Sequence, residues 1–306
     1  MLANMSKIVV IVGPTCTGKS QLAMDLAQEL NGEIVNADSM QVYKHFSIGT
    51  AKQDDKSRRI IPHHLVDMME PYEEFNAAIF KDMADRSISD IWKRGRTPIV
   101  VGGTGLYIRA LIYGLFKVHG DRNLRENLEE LYDDDPLSFY EKVKKVDPEY
   151  VLKVSFRDKR RMVRAMEVFQ LTGFSMSEWA KRHGFKTPQY RALKIGLKKP
   201  RDELFGRIDK RVEEMLENGW VDEVRGILSM GFDEQLKPFT SIGYREILKY
   251  LHDSITYEDM VKDIKKFTRH YAKRQFTWFF SEKDISWYEY PEEYNKIKQK
   301  AIDFIS

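Results

Sequence analysis

The sequence predicts an α/β fold, a parallel sheet flanked by helices with an inserted all-helical domain. Three observations carry this. Short Ile- and Val-rich runs alternate with helix-periodic segments, a glycine-rich loop follows the first of those runs, and a charged central stretch shows helical patterns with no convincing β run.

Residues 7–12 form an apolar run ending at Gly13, the pattern of a buried strand entering a glycine loop. Leu22, Leu26 and Leu30, with Ala23 and Ala27, give residues 20–30 helical spacing, and Asn31-Gly32 supplies the stop. Residues 33–37 predict the next strand. After a polar loop, Ile79, Met83 and Trp92 place a helix over 75–93, Gly95 closes it, and 99–101 begin another buried strand. From about 115 to 190 the chain is broken at Asp135-Pro136, Asp147-Pro148, Gly173 and Gly184. This stretch is expected to be the insertion, with 1–114 and 191–306 forming the core domain. Residues 192–197 return to the sheet, and amphipathic helices are expected over 201–217, 221–230, 241–251 and 257–279.

A chain of 306 residues exceeds the usual domain size of ~100 to 200 residues, so two domains are expected. With 42% hydrophobic and 32% charged residues it is too apolar for disorder, and no apolar run approaches the ~18 residues that a membrane span needs. The first seven residues lack the basic start and apolar stretch of a secretory signal, and a lone Cys16 offers neither disulfide nor metal cluster. A cytoplasmic monomer with no membrane partner is expected. The net charge of +3 excludes no partner, because nucleic-acid binding needs only a local basic surface.

Gly13-Pro14-Thr15-Cys16-Thr17-Gly18-Lys19-Ser20 fits G-x-x-x-x-G-K-[ST] between an apolar strand and a helix, which is the context this phosphate-binding motif requires. Small residues let backbone N–H groups surround phosphate oxygens, Lys19 adds charge, and the Ser20 hydroxyl is a ligand for Mg²⁺. The expected core is thus P-loop NTPase-like. The loop specifies a polyphosphate and leaves open which bond breaks; most proteins with it use ATP or GTP.

In an open parallel sheet, ligands bind beyond the carboxyl ends of the strands. Asp38 follows the second strand and Thr104 follows the third within Gly102-Gly103-Thr104-Gly105, so both should face the P-loop. Position alone leaves Asp38 as a general base, a water-mediated metal partner or a helix cap, and Thr104 as a functional hydroxyl or a turn residue.

The P-loop, Asp38 to Tyr43 (Asp-Ser-Met-Gln-Val-Tyr), Ile48-Gly49-Thr50-Ala51-Lys52, His63-His64-Leu65-Val66-Asp67 and Val101-Gly102-Gly103-Thr104-Gly105-Leu106-Tyr107 resemble, in order and spacing, the bacterial-type tRNA dimethylallyltransferases of the IPP transferase family. Arg161 to Val168, Arg207-Ile208 with Arg211, Ile242-Gly243-Tyr244 and Tyr271 to Trp278 extend the resemblance over nearly the whole chain. Departures are few: Cys16-Thr17 stands where Ala-Ser is usual, Ser20 replaces a frequent Thr, Gln53 a frequent Pro, and Phe280 a frequent basic residue.

The resemblance implies transfer of dimethylallyl from dimethylallyl diphosphate, with Mg²⁺, to the N6 amine of the adenosine 3′ of the anticodon in tRNAs reading codons that begin with U. It makes Asp38 the base, sets Thr104 beside the reacting adenine, and favours Arg211 over Arg207 for the diphosphate, alongside Gly13 to Ser20. It sets Asp38, Ser39, Met40, Gln41 and Thr104 against the tRNA; the other residues expected at the anticodon stem-loop are Arg160, Arg161, Met162, Val163, Arg164, Lys273 and Arg274, on two basic helices. On a helical wheel Arg157, Arg160, Arg161 and Arg164 lie opposite Met162, Met166 and Phe169, and Lys265, Lys266, Arg269 and Lys273 lie opposite Ile264, Phe267, Tyr271 and Trp278. Two outward basic stripes are therefore expected to meet RNA phosphates; a merely solvated face is the plain reading of either. His63 and His64 suggest a metal, but no further ligand cluster completes a site. A small-molecule or nucleoside kinase, with Asp38 as base, and a non-catalytic RNA-binding switch are the rivals.

Overall fold

The computed structural model describes residues 6–116, 118 and 120–306. Six parallel strands form one sheet in the order β3-β2-β4-β1-β5-β6. β1 (Lys7–Val12) leads into α1 (Lys19–Glu29) and β2 (Gly32–Asn36); α2 (Asp55–Ile60) and β3 (His63–His64) follow, then α3 (Ala77–Lys93), β4 (Thr97–Val101) and α4 (Gly105–Tyr113). β1, β2 and β4 are buried nearly throughout, as expected of strands covered on both faces. The Asn76 side chain starts α3 by accepting from Ala78 N at 2.9 Å and Ile79 N at 3.1 Å.

The chain divides into two compact units, one of residues up to Ile112 with Gln189–Ser306 and one of Tyr113–Pro188. The second unit holds α5 (Arg122–Asp134), α6 (Pro136–Val146), α7 (Pro148–Val151), α8 (Lys159–Thr172) and α9 (Met176–His183). Its sequence breaks are helix boundaries: Asp135 and Asp147 cap α6 and α7 ahead of their prolines, and Gly173 and Gly184 end α8 and α9 at φ of 72° and 62°. Leu128, Phe139, Val143 and Met162 form its core.

The chain re-enters the sheet at β5 (Arg191–Leu197) and continues through α10 (Arg201–Glu217), α11 (Trp220–Ser229), a 3-10 turn at Lys237–Thr240, α12 (Tyr244–Leu251), α13 (Tyr257–Phe280), β6 (Ile285–Tyr288) and α14 (Tyr294–Ile305). Because β4 lies between β2 and β1, with Val101 opposite Asn36 on one side and Ile11 on the other, the loops leaving all three strands open on one edge. Among the described residues, no helix is long and apolar enough to cross a membrane.

Candidate active site

The P-loop turns sharply where β1 meets β5. Gly13 sits at φ 138°, and a Cβ there would lie 2.5 Å from the Leu197 carbonyl oxygen, so only glycine fits. Thr17 is fully buried and its hydroxyl donates to Pro14 O at 2.8 Å, closing the loop on itself. Lys19 Nζ donates to the same carbonyl at 2.6 Å. Burial and, less strongly, the nearby Arg211 lower the Lys19 amine to about 8, against the raising charges of Cys16 and Asp38.

Asp38 stands two residues past β2 with one carboxylate oxygen fixed: Oδ1 accepts Met40 N at 2.8 Å and Gln41 N at 3.3 Å. Oδ2 has no hydrogen-bond partner among the described residues. A carboxylate oriented by its own loop, with an oxygen to spare, suits proton acceptance better than a helix cap does.

The Gly102-Gly103-Thr104-Gly105 loop is squeezed between β2 and α13. A Cβ at Gly102 would overlap the Ala37 carbonyl, one at Gly103 the Gln275 amide and one at Gly105 the Trp278 indole. Thr104 Oγ1 is buried with no well-formed hydrogen bond. It lies close to the phenol of Tyr271, which burial and then the Asp38 charge push up, against the lowering effect of Thr104 and Gln275. The P-loop, Asp38 and Tyr271 share one cavity of about 310 Å³, lined by Thr15 to Ser20 except Thr17, by Asp38, Gln41, Gly102 and Gly103, and by Arg211, Tyr271 and Gln275; Thr104, next to Gly103 in the chain, is not among its lining residues.

The structure separates the two arginines of α10. Arg211 lines the cavity, with Nη1 3.7 Å from Cys16 Sγ, whereas Arg207 pairs with Glu203 one turn earlier on the exposed side. Periodicity gave Tyr271 and Gln275 no functional role, placing both on an ordinary amphipathic helix; the signal that pointed to them was the family resemblance of the Tyr271 to Trp278 block. The Gln41 amide, read from the sequence as an RNA contact, donates to Thr50 O at 2.9 Å.

Both basic stripes need correction. Lys265 bonds to Glu213, and Arg269 meets Asp209 through two bonds of 2.9 and 3.0 Å, so half of the second stripe ties α13 to α10. Lys273 and Arg274 remain exposed. In the helical unit Arg164 turns inward to Glu167, a fully buried carboxylate, at 2.6 Å, and Arg125 meets the same group at 3.1 Å. Met162 and Val163 are buried, which gives their side chains to the core and not to a partner. Arg160 and Arg161 are exposed, Arg161 lying 3.4 Å from Asp158. His64 bonds to buried Glu33 at 2.6 Å, and His63 to the Ile61 carbonyl at 2.8 Å.

Residues 41–282 match the family model described as IPP transferase, and residues 6–60 match that of isopentenyl transferase. The chain is 46% identical over 301 residues to tRNA dimethylallyltransferase 1 of Citrifermentans bemidjiense, covering 98% of this chain and 97% of the relative. It is 43% identical over 307 residues to the tRNA dimethylallyltransferase of a Thermoanaerobacter species, covering 98% of both. Among solved structures, the tRNA isopentenylpyrophosphate transferase of Bacillus halodurans superposes with a TM-score of 0.73 at 35% identity, over 98% of this chain and 96% of that one. A eukaryotic dimethylallyltransferase acting on tRNA superposes with a TM-score of 0.83 at 32% identity, over 98% of this chain and 79% of that one.

Proposed function

The chain belongs to the IPP transferase family, and on that premise we propose that it moves a dimethylallyl group from dimethylallyl diphosphate to the N6 amine of the adenosine 3′-adjacent to the tRNA anticodon (position 37), in tRNAs reading codons that begin with U. One observation carries the reading to this chain's residues: Asp38, with its uncommitted Oδ2, lines the same cavity as Lys19 and Arg211. A base and an anion cradle are thus brought together, as alkylation of an amine with loss of diphosphate requires.

As the carbon–oxygen bond of the donor breaks, negative charge grows on the diphosphate. Lys19, Arg211 and the loop N–H groups are the donors that stabilise it. The adenine amine is a weak nucleophile because its lone pair is delocalised, so Asp38 Oδ2 takes its proton as nitrogen bonds to carbon. The buried Thr104 hydroxyl holds the base by a hydrogen bond, and the adenosine must leave its stack to enter. Ser20, exposed at the start of α1 and facing the cavity, is a hard oxygen donor that would hold Mg²⁺, which would supply charge neutralisation for the leaving group.

The helical insertion, with Arg160 and Arg161 exposed, grips the anticodon arm, and Lys273 and Arg274 add cations beside the cavity. Action as a monomer is part of this proposal, and a tRNA substrate supports a cytoplasmic location. The kinase reading that a P-loop alone would allow gains no support from the relatives. Labelled dimethylallyl diphosphate with unmodified tRNA tests the assignment: label in the RNA is expected, and ATP-dependent phosphorylation without RNA labelling would overturn it.

A further inference from the structure

A carboxylate outside the cavity is bonded to the loop that walls it. Glu223, in the first turns of α11, accepts through Oε2 the N–H groups of Ser47 at 2.9 Å and Ile48 at 2.7 Å, and through Oε1 that of Gly49 at 3.3 Å. The Tyr244 hydroxyl donates to Oε1 at 2.6 Å. Three successive amides converging on one carboxylate make the concave arrangement that backbone presents to anions. Burial and the Glu223 charge push the Tyr244 phenol well up, so it stays a donor. Trp220 closes the other side: a Cβ at Gly49 or at Gly243, which sits at φ 92°, would overlap its ring.

The loop held in this way runs straight into the site. Thr50 and Ala51 line the cavity, and their carbonyls accept the Gln41 amide at 2.9 and 3.5 Å. Gln41 in turn donates its backbone N–H to Asp38 Oδ1 at 3.3 Å. Hydrogen bonds, joined by the covalent chain between residues 49 and 51 and within Gln41, therefore link Glu223 to the carboxylate that takes the proton. The P-loop is held separately, by Gln275 on Thr15 N at 2.9 Å.

We infer that Glu223 is a positioning residue for the transfer step, fixing the Gly49 loop so that Gln41 and Asp38 keep their alignment on the adenine amine; the inference rests on the prenyl-transfer reading above. Its signature is a slow reaction of bound donor without weakened donor binding. A role confined to stability would instead lower the melting temperature and scale all activities together.

The test is a double-mutant cycle of Glu223→Ala and Gln41→Ala, read by single-turnover transfer of labelled dimethylallyl to tRNA at saturating donor. Glu223→Ala should slow transfer about tenfold or more while leaving inorganic diphosphate affinity within about threefold. The double variant should be slower than Gln41→Ala alone by no more than about twofold, because both act along one path. Glu223→Gln keeps one acceptor oxygen for the loop and should recover part of the rate; if Glu223→Ala does not fold, Glu223→Gln takes its place in the cycle. Independent, multiplying losses, or an equal loss of diphosphate affinity, would overturn the inference while wild-type transfer stands. Unlabelled tRNA with the wild-type protein would instead remove the underlying reading, and this inference with it.

Discussion

Gln275 and Thr15 lie 260 positions apart, yet the Gln275 side chain accepts the Thr15 N–H at 2.9 Å and donates to the Gly103 carbonyl at 3.1 Å. One buried amide on α13 thereby joins the P-loop to the glycine loop, and its two polar ends match the two groups they meet. It also commits the Thr15 amide, leaving the later loop amides for a ligand.

Gln275→Ala would leave the buried Gly103 carbonyl unpaired, at a cost of about 1–3 kcal/mol, and would free the half-buried Thr15 N–H at the cavity wall. A lower melting temperature together with weaker diphosphate binding is expected. Gln275→Glu keeps the acceptor for Thr15 but sets an oxygen against the Gly103 carbonyl and a negative charge on the cavity wall, so it should also bind diphosphate more weakly and melt below wild type. Wild-type binding and melting in both variants would contradict the bridging role.

The Lys19 amine, lowered by burial to about 8, gives donor binding a defined pH dependence. A bound diphosphate favours the charged form, so affinity should be level below about pH 8 and fall above it by up to about tenfold per unit. Folding stability has the opposite sign: between about 8 and the ordinary 10.5 the unfolded chain holds the extra proton, so stability gains from this group as pH rises. Lys19→Arg stays charged and should flatten the binding profile. Titration of the wild type with inorganic diphosphate between pH 7 and 9.5 checks this; a level profile would contradict the role of Lys19.

Arg211 and Arg207 should behave differently although one helical turn separates them. Arg211→Ala removes a cation from the cavity and should weaken diphosphate binding about tenfold or more, whereas Arg207→Ala loses only an exposed pair with Glu203, worth about 0–1 kcal/mol, and should bind within about twofold of wild type. The reverse order of effects in a diphosphate titration would move the anion site.

Two arginines of the basic stripe in α8, Arg160 and Arg164, also separate. Arg160→Ala should make the slope of tRNA affinity against salt shallower by about one, from one fewer phosphate contact, without loss of stability. Arg164→Ala strips a partner from fully buried Glu167, at 2.6 Å in the intact protein, so a lower melting temperature is its expected mark. An unchanged salt slope for Arg160→Ala would place the RNA surface elsewhere.

The P-loop, Asp38 and Thr104 were readable because each follows an apolar run, and the sheet aligns the ends of those runs. β3 is two histidines and β6 is half-exposed Ile-Ser-Trp-Tyr, so neither edge strand carries the apolar signal of the buried ones. Tyr271 and Gln275 reach the cavity from α13 through contacts that no local pattern encodes. Lys265 and Arg269 look like a free basic stripe in their own helix; the acids that neutralise them, Glu213 and Asp209, sit on α10. Arg164 misled for a different reason: the Glu167 that draws it inward is three positions along its own helix and reads as surface charge, although it is buried. Periodicity reports which face an element buries, and is silent on which charges the partner element brings to it.

Single-turnover transfer by Asp38→Ala, set beside its tRNA affinity, tests the central claim most directly. Loss of the base should slow transfer by about 10²–10⁴-fold and leave tRNA affinity within a few-fold of wild type. A variant that bound tRNA poorly, yet alkylated whatever it bound at the normal rate, would contradict the assignment of Asp38 as the proton acceptor.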